Sequence, residues 1–101
     1  MPDQDGYPTE AELNRIKLWD FHKDGDVHHF LDYLKGLWSY PNRFVWTGKN
    51  ILRLYLSTGG SSGNESIIEA LGENTFWMMC WQKSKRGGHY WFEINLKLFM
   101  P

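Results

Sequence analysis

Apolar residues recur in the first half of the chain at Val27, Phe30, Leu31, Leu34, Leu37 and Trp38. Their spacing of i, i+3, i+4, i+7, i+10 and i+11 is that of one face of an α-helix. His28, His29, Asp32 and Lys35 fill the polar side, Asp26 stands at the N-cap position, and Tyr40-Pro41-Asn42 ends the run. A first helix is expected from about Glu10 to Trp19. Thr9 and Glu12 have capping-box spacing after Pro8, and Leu13, Ile16 and Trp19 supply the apolar side. Asp24-Gly25 separates the two helices.

From Arg43 the period changes to two. Phe44 and Trp46 alternate with Arg43, Val45 and Thr47, and Leu52, Leu54 and Leu56 alternate with Arg53, Tyr55 and Ser57. Gly48-Lys49-Asn50 lies between the two runs, so the pair reads as a hairpin. A short helix over Ser66 to Leu71 follows a glycine-rich stretch, with Gly72 as its stop. Two further strands are expected, Thr75 to Gln82 and His89 to Leu98, around Lys83-Ser84-Lys85-Arg86-Gly87-Gly88. Tyr90, Phe92, Ile94, Leu96 and Leu98 share one side of the last strand. A turn at Gly87-Gly88 pairs them with Lys85, Lys83, Trp81, Met79 and Trp77, burying both tryptophans. A one-residue slip would turn Phe76, Met78, Cys80 and Gln82 inward instead.

The order ααββαββ defines an α+β fold: an antiparallel sheet of about four strands, in two hairpins, with helices packed on one face. The length suits a single domain over residues 1–101, with the polar residues 1–7 expected to be disordered.

Composition narrows the function classes. Hydrophobic residues at 42% and charged residues at 23% are those of a folded globular chain. A formal net charge of -1 argues against a general nucleic-acid coat while leaving room for a local basic patch. No apolar run reaches the ~20 residues of a membrane span, and the N-terminus lacks the basic start of a signal peptide. The single Cys80 fits a reducing cytoplasm. Aromatic residues make up 17% of the chain, enough to leave some rings half exposed for binding.

The candidate site begins with Thr58, Gly59, Gly60, Ser61, Ser62, Gly63 and Asn64. This stretch joins a strand to a helix, and Ser62 with Glu65 has capping-box spacing. Such a turn offers N–H donors and the positive end of a helix dipole to an anion; it equally serves as a plain corner. The second hairpin adds Arg86, His89 and Trp91: a guanidinium for phosphate and rings for stacking. No Lys-Ser or Lys-Thr follows the glycines, so the loop is not a Walker motif. Arg53, Tyr55, Trp91, Glu93 and Lys97 form a second candidate surface, an aromatic and charged sheet face of the kind found at protein interfaces.

Other chemistry is thin. His28 and Asp32 stand i, i+4 on a polar helix face, where solvent exposure explains them as well as a metal does. Asp20 to Asp26 opens like a calcium loop, but its twelfth position is Leu31 where the bidentate glutamate belongs. Cys80 sits in an apolar run with no base beside it. Glu65 and His89 are the one acid/base pair that two meeting loops could bring together. No catalytic residue, metal or cofactor is assigned.

The motifs Thr58-Gly59-Gly60-Ser61-Ser62-Gly63-Asn64-Glu65, Ile67-Ile68-Glu69-Ala70-Leu71, Phe76-Trp77 and Arg86-Gly87-Gly88-His89-Tyr90-Trp91-Phe92 resemble a signature of small uncharacterised tailed-phage and prophage proteins. The likeness covers about residues 51–94, and the N-terminal helices carry none of it. That group often has an aromatic residue where this chain has Ser61. The resemblance implies a small binding protein acting in the host bacterial cytoplasm, by inhibiting a defence complex or sequestering a signalling nucleotide.

The expectation is therefore a non-enzymatic accessory or anti-defence protein that binds an anionic, nucleotide-like ligand at the glycine loop and helix N-terminus. Its alternative is an anti-CRISPR-like inhibitor that meets a host protein through the aromatic and charged surface. A small hydrolase using Glu65 and His89 is the third.

Overall fold

The computed structural model describes residues 7–99; of the segment 1–7 expected to be disordered, all but Tyr7 lies outside the described residues. Four helices and a four-stranded antiparallel sheet make the α+β architecture: α1 (Glu10–Lys17), α2 (Val27–Leu37), β1 (Phe44–Thr47), β2 (Ile51–Ser57), α3 (Ser62–Gly72), α4 (Thr75–Cys80), β3 (Trp81–Lys85) and β4 (His89–Asn95). Strand order is β1-β2-β4-β3, so each hairpin keeps its own pair and β2 joins β4 at the centre.

Local chemistry fixes the first two helices. The Thr9 hydroxyl accepts from the Glu12 N–H at 3.2 Å, and the Thr9 N–H donates to Glu12 Oε1 at 2.8 Å, completing the capping box. Asp26 caps α2 by accepting from the His29 N–H at 3.0 Å. The α2 stripe from Val27 to Trp38 is buried throughout. It meets Ile16 and Trp19 from α1 and its exit, together with Leu52, Leu54, Leu56, Phe92 and Ile94 from the sheet. Rings fill the middle: Phe30 lies 5.3 Å from Phe76, which lies 5.8 Å from Phe92.

Residues 75–80 depart from the strand expected of them. They form α4, because Asn74 builds a helix start there. Its Oδ1 accepts from the Phe76 N–H at 2.9 Å, while its Nδ2 donates to the carbonyls of Ile16 (2.9 Å) and Trp19 (3.3 Å) at the end of α1. One buried side chain thus satisfies donors and acceptors at two helix ends.

The second hairpin also takes the other register. Lys85 pairs with His89, Ser84 with Tyr90 and Lys83 with Trp91, and a bulge at Gln82 then sets Trp81 opposite Phe92. The slip puts Lys83 and Lys85 on the same face as His89 and Trp91, away from the core. Trp77 is half-buried against Phe92 at 5.3 Å, and Trp81 is exposed, so the burial expected of both tryptophans is not met. The last strand ends at Asn95, with Leu96–Phe99 in a 3-10 turn.

Candidate binding face

The glycine stretch is a tight turn leading into a helix. Gly59 (φ 57°) and Gly60 (φ 79°) both have positive φ, the pattern of a type I′ turn, and the Ser61 N–H closes it on the Thr58 carbonyl at 2.9 Å. The helix begins earlier than expected. Ser61, not Ser62, is the N-cap, accepting from the Asn64 N–H at 3.2 Å, while Glu65 is an exposed first-turn acid outside any capping box.

Asn64 is fully buried and faces inward. Its Oδ1 accepts from the Ser39 N–H at 2.8 Å, and its Nδ2 donates to the carbonyls of Ser39 (2.8 Å) and Thr58 (3.2 Å). Thr58 is buried, and its N–H donates to the Gly88 carbonyl at 3.0 Å. Gly88 has φ 80°, and a Cβ there would collide with Thr58 Oγ1. The two glycine motifs do meet at one end of the sheet, but backbone and the Thr58 side chain fill the space between them. Of the residues expected to hold an anion here, Thr58, Gly63 and Asn64 are buried and Ser61 is taken by its own helix. Gly59, Gly60 and Ser62 remain exposed at the corner, and Arg86 is exposed at the hairpin tip.

His89 and Trp91 belong to a different surface. Alternation turns them, with Glu93, away from the helices, onto a sheet face that no described helix covers. The strand pairings set the residues of this face in rows. Ser57, His89 and Lys85 form one; Val45, Tyr55, Trp91 and Lys83 form the next; Thr47, Arg53 and Glu93 form the third. Arg43, which ends the 3-10 turn just before β1, reaches into the first row, its Nη1 donating to Ser57 Oγ at 3.3 Å while its stem lies over Gly59.

Rings occupy the centre. Tyr55 and Trp91 are 5.1 Å apart, and Tyr55 and His89 stack at 6.0 Å with planes 9° apart. The Tyr55 hydroxyl and His89 Nδ1 are 2.7 Å apart, which pins both rings. All three are half-buried, so each shows ring surface to solvent. Ammonium groups surround Trp91: Lys83 Nζ lies 4.6 Å and Lys85 Nζ 5.8 Å from its ring centre. An open depression of about 400 Å³ lies beside Tyr55 and Trp91, bounded by Val45, Thr47, Arg53 and Gln82. The bulge places Gln82 at that rim.

Charge is segregated here. Arg53 Nε is 3.6 Å from Glu93 Oε2, the acid of this face, and among the described residues no ion pair engages Arg43, Lys83 or Lys85. A chain of formal net charge -1 thus carries one basic, ring-lined face. Period-two alternation pointed to Arg53, Tyr55, Trp91 and Glu93; Lys97 falls in the terminal 3-10 turn, outside the rows. Lys83 and Lys85 belong by sequence to the cationic hairpin tip, and they reach this face through the slipped register; Arg43 carries no such signal.

The remaining chemistry stays structural. Asp20 accepts from the N–H groups of His22 and Lys23, and Asp24 from that of Asp20, which closes the calcium-like segment on itself. Among the described residues no group of three or more His, Cys, Asp or Glu is placed to hold a metal ion. Cys80 is buried, and burial pushes its thiol up to about 12. Among the described residues no hydrogen bond or ion pair joins Glu65 to His89, whose Nδ1 is engaged by Tyr55. No described helix is long and apolar enough to cross a membrane. Comparisons with family models, curated proteins and solved structures find no match to the chain.

Proposed function

We propose that the chain is a non-enzymatic binding protein whose uncovered sheet face takes an anionic ligand bearing a planar ring, the chemistry of a nucleotide. The carrying observation is the Tyr55–His89–Trp91 ring cluster with Lys83 and Lys85 at its edge. A ring gains by stacking on a half-exposed aromatic platform, and its phosphate by meeting ammonium groups that have no acid partner. The glycine corner contributes indirectly, since Gly59 supports the stem of Arg43. The likeness to small tailed-phage proteins supports an accessory, anti-defence setting for this binding in a host bacterial cytoplasm.

The test is amide and indole chemical-shift mapping with a nucleoside monophosphate at millimolar concentration. Shifts centred on Tyr55, His89 and the Trp91 indole are expected. Shifts confined to Gly60–Ser62 would return the site to the corner, and none anywhere would sink the reading.

A protein-directed inhibitor is the second reading. It is favoured by Met78 at 89% and Trp81 at 42% exposure on the β3 side, apolar surface that a small anion leaves uncovered. It would give a heteromeric complex by size exclusion, with no shift from the monophosphate.

A further inference from the structure

Resting on the ring-and-anion reading, we infer that the ligand of the open face is a short single-stranded nucleic acid rather than a free nucleotide. A single phosphate needs one or two cations, yet the basic residues are spread across the sheet. The Arg43 guanidinium lies on Ser57 of β2 and Lys85 stands on β3, with His89 of β4 between them. Two interstrand spacings, about 10 Å, therefore separate the Arg43 guanidinium from the Lys85 position. That is wider than one phosphate group, so it asks for more than one phosphate along a strand.

The platform of Tyr55 and Trp91 lies in the adjacent row, two residues along each strand, or about 7 Å away. Cations at both sides of a ring platform, Arg43 at one and Lys83 and Lys85 at the other, match a strand whose phosphates pass the platform's edge while its bases stack on it. A duplex cannot use this arrangement, because its base faces are stacked inside it. The third row reinforces the direction: Arg53 is paired with Glu93, so the phosphate track belongs on the Arg43–Lys85 side. The overall charge of -1 keeps the site local rather than a general coat.

Lys83 sits over the ring of Trp91. An arriving base takes that position, and the displaced ammonium group, on its flexible stem, turns to the neighbouring phosphate.

Fluorescence anisotropy with a labelled oligothymidylate tests this, with thymidine monophosphate and a duplex of the same length as competitors. The single strand is expected to bind at least about 10-fold tighter than either competitor. Its affinity should fall with salt at a log–log slope of about −2, for three phosphates at roughly −0.7 each. Lys85→Ala should flatten that slope by about 0.7. Trp91→Ala should weaken binding about 10-fold, while Trp91→Phe, which keeps a ring, retains most of it. A melting curve for each variant separates lost folding from lost binding. If the monophosphate perturbs the face and the strand binds no tighter, the nucleotide site stands and the polymer inference falls. If duplex and strand bind alike and Trp91→Ala changes nothing, plain charge attraction replaces it. If neither strand nor monophosphate binds, both readings fall together.

Discussion

Strand β4 builds two surfaces from alternate residues. Phe92 and Ile94 point into the core, where Phe92 is packed against Phe76 and Trp77. His89, Trp91 and Glu93 point the other way, where Trp91 keeps ring surface in solvent beside two ammonium groups. Both faces are aromatic; one has its partners within the chain, and the other is supplied with cations and a depression. A ring whose neighbours are all protein belongs to stability. A pinned ring left half open beside unpaired charge is poised for a partner from outside.

The largest effect should come from breaking the covered side. Phe92→Ala is expected to cost about 3–5 kcal/mol in denaturant unfolding, as the loss of a fully buried ring does. Trp91→Ala, one residue away, should cost less, about 1–2 kcal/mol, because part of its ring is already in water. Cys80 reports the same contrast. Its buried thiol should react with a thiol reagent only through opening of the fold, faster in Phe92→Ala and little changed in Trp91→Ala. The pH sign follows from burial: the folded-state value is raised to about 12, above the ordinary thiol value of 9.0. The thiol's share of stability is therefore intact below pH 9, and it declines as pH climbs from there toward 12.

Next is the glycine corner, which resembles the core more than it resembles the open face. Asn64→Ala strips the Ser39 N–H and the Ser39 and Thr58 carbonyls of a partner. A loss of about 2–3 kcal/mol is expected, read by thermal melting, with nucleotide affinity at full folding unchanged. A loss of affinity without loss of stability would restore the corner as the site.

Gly88→Ala and Gly60→Ala separate contact from conformation. Both positions have φ near +80°, but a Cβ on Gly88 collides with Thr58 while Gly60 faces open space. Gly60→Ala should cost about 1 kcal/mol, the strain of the left-handed region. Gly88→Ala should cost roughly 1 kcal/mol more, since Thr58 must move. Equal costs in parallel melts would mean that the two motifs do not depend on each other.

These cases show what the sequence could disclose. A local signal was enough where one residue type did one job: Thr9 with Glu12 for α1, the apolar stripe for α2, alternation for β1, β2 and β4. Thr75 to Cys80 was illegible because an apolar run of six residues shows no period, and the deciding group, Asn74, works by bonding the end of α1 far away in sequence. The cap at Ser61 was missed because the turn at Gly59-Gly60, rather than the capping-box template, decides where α3 starts. For the site, Trp91 and His89 could be chosen from parity and chemistry. Arg43, Lys83 and Lys85 required the bulge and the strand order, which no short stretch encodes.

The smallest expected effect has the most telling sign. Glu93→Gln removes the acid of the open face and keeps its shape. The pair it makes with Arg53 is solvent-exposed on both sides, so stability should move by less than about 0.5 kcal/mol. Ligand affinity should nevertheless rise. A negative charge about 8 Å from a bound phosphate costs roughly 0.5 kcal/mol in water before screening, and Arg53 becomes free to join the phosphate side. A gain of about twofold near physiological salt, larger at low salt, is expected by anisotropy. A merely structural face has no reason to bind an anion better after losing an acid. An unchanged or weaker affinity in a variant of unchanged stability would count directly against an anionic ligand on this side of the sheet.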